Sequence, residues 1–190
     1  YEASINPPSS YVGQTVNYII SFLDIGDGVG REGLGSADIT IPAGYSVDTT
    51  QRLIIWTSTT PEKEWVATWD LASNIGIHLR SLGDKNTLSN GETVSVQFTA
   101  TNPTSAGNYP WGVVATTNSG HGGTSFPFTL IGDNPVTANK AAIFIVRDFP
   151  SSITAGTQGT FTVTAKDEYD NIATDYTGIV HFTSSDNQAV

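Results

Sequence analysis

Apolar and polar residues alternate with a period of two along most of this chain. Val16, Tyr18, Ile20 and Phe22 are interleaved with Asn17, Ile19 and Ser21, and Val94, Val96, Phe98 and Ala100 with Ser95, Gln97 and Thr99. Successive side chains of an extended backbone point to opposite faces, so each run predicts a strand with one face available for burial. The same reading predicts strands over 3–6, 37–41, 53–58, 65–71, 75–80, 111–116 and 125–130. Trp65, Ala67, Trp69 and Leu71 share parity, which makes 61–74 strand rather than helix. Asn6-Pro7-Pro8, Pro42-Ala43-Gly44 and Ser89-Asn90-Gly91 supply turns between the runs.

The apolar windows are dominated by Thr, Val, Ile and Gly, which lose χ1 freedom or backbone entropy in a helix. The expected class is therefore all-β. The last alternating run of the long first segment ends at Leu130 and a new one begins at Ala141. A boundary is expected at Gly132-Asp133-Asn134-Pro135, giving a β-sandwich domain at 1–132, a linker at 133–140 and a second domain at 141–190. Within the second, 142–147, 159–166 and 178–184 read as three strands (A to C), with Phe161, Val163 and Ala165 on one face and Val180 and Phe182 on another. A seven-stranded sandwich takes about 100 residues. The expected architecture is thus an N-terminal antiparallel β-sandwich followed by the first half of another.

The run from Thr160 to Asp186, TFTVTAKDEYDNIATDYTGIVHFTSSD, carries a more specific pattern. Ala165, Asp167, Tyr169, Asn171, Thr174 to Gly178 and Val180 to Asp186 resemble the repeated immunoglobulin-like domains of large secreted and cell-surface proteins of bacteria and archaea. Asp170 stands where that pattern has Gly. The resemblance covers about 139–190 and implies an immunoglobulin-like sandwich in an extracellular or cell-surface setting. The segment from Gly91 to Val113 is more loosely similar to strand pairs of surface-protein sandwiches.

Composition narrows the function classes. Eighteen acidic against eight basic residues leave a net charge of −10, which repels a phosphate backbone, so nucleic acid is not an expected partner. Charged residues are 14%, while 26 Thr and 18 Ser supply a hydroxyl surface. With no Cys, disulfides, thiolate zinc sites and cysteine nucleophiles are excluded. No stretch approaches the about 20 apolar residues of a membrane helix. The absence of Met and the start at Tyr1 read as a processed or excised piece.

Four constellations invite a chemical reading. Gly28 to Gly33 spells G-x-G-x-x-G, but a strand pattern follows it where a dinucleotide site needs a helix. His121-Gly122-Gly123 has the look of an oxyanion loop, yet no G-x-S-x-G elbow accompanies it. Trp56, Trp65, Trp69 and Trp111, with Tyr45 and Tyr109, are candidates for a platform that stacks on carbohydrate; Trp65 and Trp69 carry the parity of a core face, which leaves Trp111 and Tyr109 as the favoured pair. Asp133, Asp167 and Asp170 form a candidate calcium site, since carboxylates at a linker and an adjacent loop can converge on that ion. The alternative for the Asp and Asn residues is plain turn chemistry.

The sequence therefore points to a non-enzymatic structural or adhesive module of a secreted surface protein, acting as spacer or assembly unit beside neighbouring domains or other subunits. Two alternatives stand beside it: a carbohydrate-binding module of a polysaccharide-degrading enzyme, and a filament or lattice subunit assembled by strand complementation.

Overall fold

The computed structural model describes residues 1–26, 33–72, 76–120, 125–127, 130–131 and 134–183. The chain is all-β and divides into two compact units, Tyr1–Thr137 and Ala138–Val190. The first unit opens with β1 (Glu2–Asn6), β2 (Ser10–Tyr11), β3 (Thr15–Leu23), β4 (Ser36–Thr40) and β5 (Ser46–Val47). It continues through β6 (Ile54–Thr57), β7 (Trp65–Asp70), β8 (Gly76–Ser81), β9 (Thr93–Thr101), β10 (Gly107–Asn108) and β11 (Gly112–Thr116). It ends with β12 (Ser125–Pro127), β13 (Leu130–Ile131) and β14 (Pro135–Thr137), while β15 (Ile143–Arg147) and β16 (Thr162–Lys166) belong to the second unit.

The two longest alternating runs pair with each other. β3 and β9 are antiparallel over nine residues, from Thr15 opposite Thr101 to Leu23 opposite Thr93. They form the centre of a six-stranded sheet ordered β13-β1-β3-β9-β5, with β6 also on β9. A five-stranded sheet, β12-β11-β4-β8-β7, supplies the second layer, and β10-β14-β2 forms a small third sheet. Tyr18, Ile20, Phe22, Val94, Val96 and Phe98 from the first layer meet Ile39, Ile77 and Leu79 from the second in one buried cluster. Each such side chain contributes on the order of 1.5–3 kcal/mol by leaving water. One end is plugged by Leu34 and Leu88, which bridge each other and are fully buried.

Two features of this unit depart from the sequence reading. Leu71, assigned to the core face of its strand, lies one residue past the end of β7 and is 64% exposed. Residues Pro135–Thr137, expected within the linker at 133–140, are strand β14 and pair with both β10 and β2. Val136 is buried there, so its backbone and side chain are both committed to the first unit.

In the second unit β15 and β16 pair in antiparallel register from Ile143 opposite Lys166 to Arg147 opposite Thr162. Phe144, Ala165, Val146 and Val163 share a face, as the alternation requires. The third expected strand is not seen among the described residues: 178–183 join no sheet, although the Phe182 ring lies 5.2 Å from that of Phe161. Among the described residues no second sheet covers the apolar face; the Tyr176 ring meets Phe144 edge-on at 5.0 Å, and Phe144 and Val146 remain 43% and 55% exposed.

Candidate functional site

Trp111 does not occupy the position of a stacking platform. It is 5% exposed, with ring centroids of Tyr45, Tyr18 and Phe98 at 5.1, 5.5 and 5.8 Å. Rings packed this closely at tilted and edge-on angles are core contacts and leave the indole no accessible face for a sugar. Tyr109 sits on the margin of the same cluster, edge-on to Tyr45, with its hydroxyl donating to the Ser105 carbonyl at 2.9 Å. Burial, and next the neighbouring Tyr18, push the Tyr45 hydroxyl above the usual tyrosine range.

The polar tips of this cluster secure the ends of the first unit. The Tyr18 hydroxyl donates to Asn102 Oδ1 at 2.6 Å and lies 3.0 Å from Ser10 Oγ, while Asn102 Nδ2 donates to the Tyr11 carbonyl at 2.7 Å. Ser10 and Tyr11 are β2 itself. Buried polar groups require such partners, and here the requirement fastens an early strand to the centre of the sandwich.

The candidate calcium trio does not assemble among the described residues. Asp133 lies outside them. Asp167 is fully buried, and its carboxylate accepts from the backbone N–H groups of Asn139, Tyr169 and Asn171, each at 2.9 Å, and from the Asn171 side chain. Burial works against the charge, but these bonds outweigh it and hold the Asp167 carboxyl below the usual aspartate range. Asp170 is turned to Lys166 at 2.6 Å and sits in the left-handed region at φ 69°, which explains how Asp stands where the family pattern has Gly. Asp167 is therefore the organiser of its own turn, the alternative that the composition of the loop allowed.

Gly28 to Glu32 lie outside the described residues, as does the His121-Gly122-Gly123 segment. At Gly33 a Cβ would run into the Leu88 carbonyl, so glycine there permits close backbone approach inside the sandwich. The nearby polar cleft, lined in part by Thr59, Glu62, Lys85 and Asn90, contains Lys63, whose ammonium donates to Glu92 at 2.5 Å and to the Thr87 carbonyl at 2.6 Å.

The outer faces of the two main sheets differ in chemistry. On the five-stranded sheet Asp38, His78 and Thr68 lie in register across β4, β8 and β7. The ring nitrogens of His78 face Asp38 at 2.5 Å and Asp70 at 3.3 Å, and Arg80 is exposed beside them. That face is charged.

On the six-stranded sheet the central outward rows are Trp56-Ser95-Ser21-Ser4 and Ile54-Gln97-Ile19-Asn6, continued on one side by Thr99-Asn17; on the other side a row Thr93-Leu23-Glu2 ends in the exposed carboxylate of Glu2, while the three rows just named are uncharged. The hydroxyls pair across strands, Ser21 with Ser95 at 2.7 Å and Thr99 onto Asn17 at 2.6 Å. Ile55 packs against the core and Thr57 is buried, so Ile54, 51% exposed, and half-buried Trp56 stand on the outer side. Trp56 is one of the aromatic residues that the sequence offers for a stacking platform, although the reading favoured Trp111 and Tyr109. Its run, Leu53 to Ser58, has apolar residues at both parities, and alternation alone does not assign its faces.

No family model and no curated protein matches this chain. Among solved structures it is similar to a non-cellulosomal cohesin from the hyperthermophilic archaeon Archaeoglobus fulgidus, at 13% identity and TM-score 0.44, over 72% of this chain and 90% of that one. A cohesin module from a Clostridium perfringens family 33 glycoside hydrolase matches at 13% identity and TM-score 0.43, over 73% and 96%. The group B streptococcus pilus 2b backbone protein matches at 12% identity and TM-score 0.41, over 90% of this chain and 74% of that one. Likenesses this distant assign nothing to the chain.

Proposed function

We propose that this chain is a non-enzymatic structural or adhesive module of a secreted or cell-surface protein, serving as a force-bearing spacer. The observation that carries the reading is how the first unit closes. Its first strands pair in parallel with its last: Ala3 is opposite Leu130 and Ser4 opposite Ile131, while Ser10 is opposite Val136 and Tyr11 opposite Thr137. Tension on Tyr1 and Thr137 draws parallel partners in opposite directions along their length. The cross-strand bonds are then loaded together in shear instead of one at a time. Val12 N–H donating to the Thr137 carbonyl at 3.0 Å and Thr137 Oγ1 donating to the Ser10 carbonyl at 3.2 Å extend the same ladder.

Stretching a tandem array of residues 1–137 through its ends tests the reading. Forced unfolding is governed by the unfolding barrier. Each unit is expected to resist as one body and then release its whole length in a single event, about 3.3–3.6 Å per residue. Gradual unravelling from the ends at low force would discard the spacer role.

A second reading, assembly by strand complementation, draws on the second unit. Among the described residues no second sheet covers the exposed apolar side chains of β15, and an added strand from another subunit or domain would cover them. We retain for this unit the reading of a partial immunoglobulin-like domain. Sedimentation that stays monomeric at all concentrations would remove the assembly reading.

A further inference from the structure

We propose that the outer face of the six-stranded sheet binds an uncharged polysaccharide, with the Trp56 indole as the stacking surface and Gln97 and Asn17 addressing the sugar hydroxyls. The inference gives the adhesive part of the proposed function a ligand class and rests on that reading.

Three observations support it. First, the tryptophans are divided by function. Trp65, Trp69 and Trp111 belong to the core or pack against it, whereas strand parity turns Trp56 outward. A large apolar ring held on a sheet surface is a strong interaction anchor. Second, the face is selective by charge. The protein carries a net charge of −10, and the opposite face displays Asp38, His78, Asp70 and Arg80, whereas the Trp56 and Ile54 rows contain none and the charges nearest to them in the strand pattern, Glu2 and Arg52, stand at the margins of the face. A neutral ligand docks there without burying an unpaired charge, while an anionic polymer finds no cation in those rows. Third, the neighbouring groups fit a sugar. A pyranose ring offers an apolar C–H face and a rim of hydroxyls that need both donors and acceptors. The indole matches the first, and the amides of Gln97 and Asn17 carry both a donor and an acceptor for the second. The cross-strand pair Ser21–Ser95 continues the Trp56 row, and Gln97 lies in the next row along.

The test uses the full chain with a panel of insoluble neutral polymers (cellulose, chitin, xylan, mannan and β-1,3-glucan) and an anionic pectin as contrast. Retention is expected on at least one neutral polymer and not on pectin. Trp56→Ala is expected to weaken that retention about tenfold or more, Trp56→Phe to keep part of it, and the thermal midpoint of both variants to stay with the parent. No retention on any neutral polymer, equal retention on pectin, or retention unchanged in Trp56→Ala overturns the proposal. Self-association of the parent that Trp56→Ala abolishes, without polymer retention, likewise overturns it and identifies the face as a contact between copies. The pulling experiment on the first unit reads the spacer role separately, so either proposal can fail while the other stands.

Discussion

The two units use the same alternation and reach different ends. In the first, Tyr18, Ile20 and Phe22 disappear beneath a second sheet; in the second, Phe144 and Val146 have the same parity relation, but no sheet lies above them among the described residues. The contrast separates two things that strand periodicity is often taken to deliver together. Parity decides which side chains share a face, a property of the local backbone. Burial depends on whether another layer arrives, and that is decided by residues far away in sequence.

Substitutions break this comparison in order of size. Trp111→Ala, which opens a cavity among Tyr18, Tyr45 and Phe98, is expected to cost the first unit about 3–5 kcal/mol in denaturant unfolding. A loss below about 1 kcal/mol would mean that the aromatic cluster is not core. Tyr18→Phe removes the donor to Asn102 Oδ1 while keeping the ring, and about 1–3 kcal/mol is expected from leaving a buried acceptor unpaired.

In the second unit the sensitive position is polar. Asp167→Ala removes the acceptor for three backbone N–H groups, so amide exchange at Asn139, Tyr169 and Asn171 is expected to rise sharply while the first unit is unaffected. The native turn has a matching pH dependence. Because the folded-state pKa of Asp167 is depressed, its contribution is complete above the unfolded aspartate pKa of about 3.9 and fades as pH falls below it through the folded value. Exchange at these amides should be flat from pH 7 to 5, after correction for intrinsic rates, and accelerate below about 4. The smallest effects belong to aromatics outside the core, exposed Phe161 and half-buried Trp56. Phe161→Ala, at a side chain 41% exposed, and Trp56→Ala are each expected to change stability by no more than about 0.5–1 kcal/mol. A several-kcal/mol loss at Phe161 would reveal a covering layer.

The sequence reading reached the all-β class and the large β3–β9 pairing because both runs are long and strictly alternating. It was weakest where the pattern is short or two-sided. Two-residue strands such as β2 and β14 are too brief to show a period, yet they close the first unit. Trp111 follows Pro110 at the start of an expected strand, and nothing local reveals that Tyr18, Tyr45 and Phe98 converge on it. Leu53 to Ser58 has apolar side chains on both parities, so the outward placement of Trp56 emerges only once β6 is registered against β9. The loop acids were visible as a cluster, but whether they address a metal or their own backbone is decided by the direction of N–H groups.

The direction dependence of mechanical strength tests the central claim most directly. The chain has no Cys, so engineered cysteines give unique handles. Pulling through Tyr1 and Thr137 loads the parallel ladders in shear, whereas pulling through Tyr11 and Thr137, which are register partners, peels one ladder from its end. The account predicts a several-fold higher unfolding force for the first pair; equal forces, or a weaker response through Tyr1 and Thr137, would contradict it.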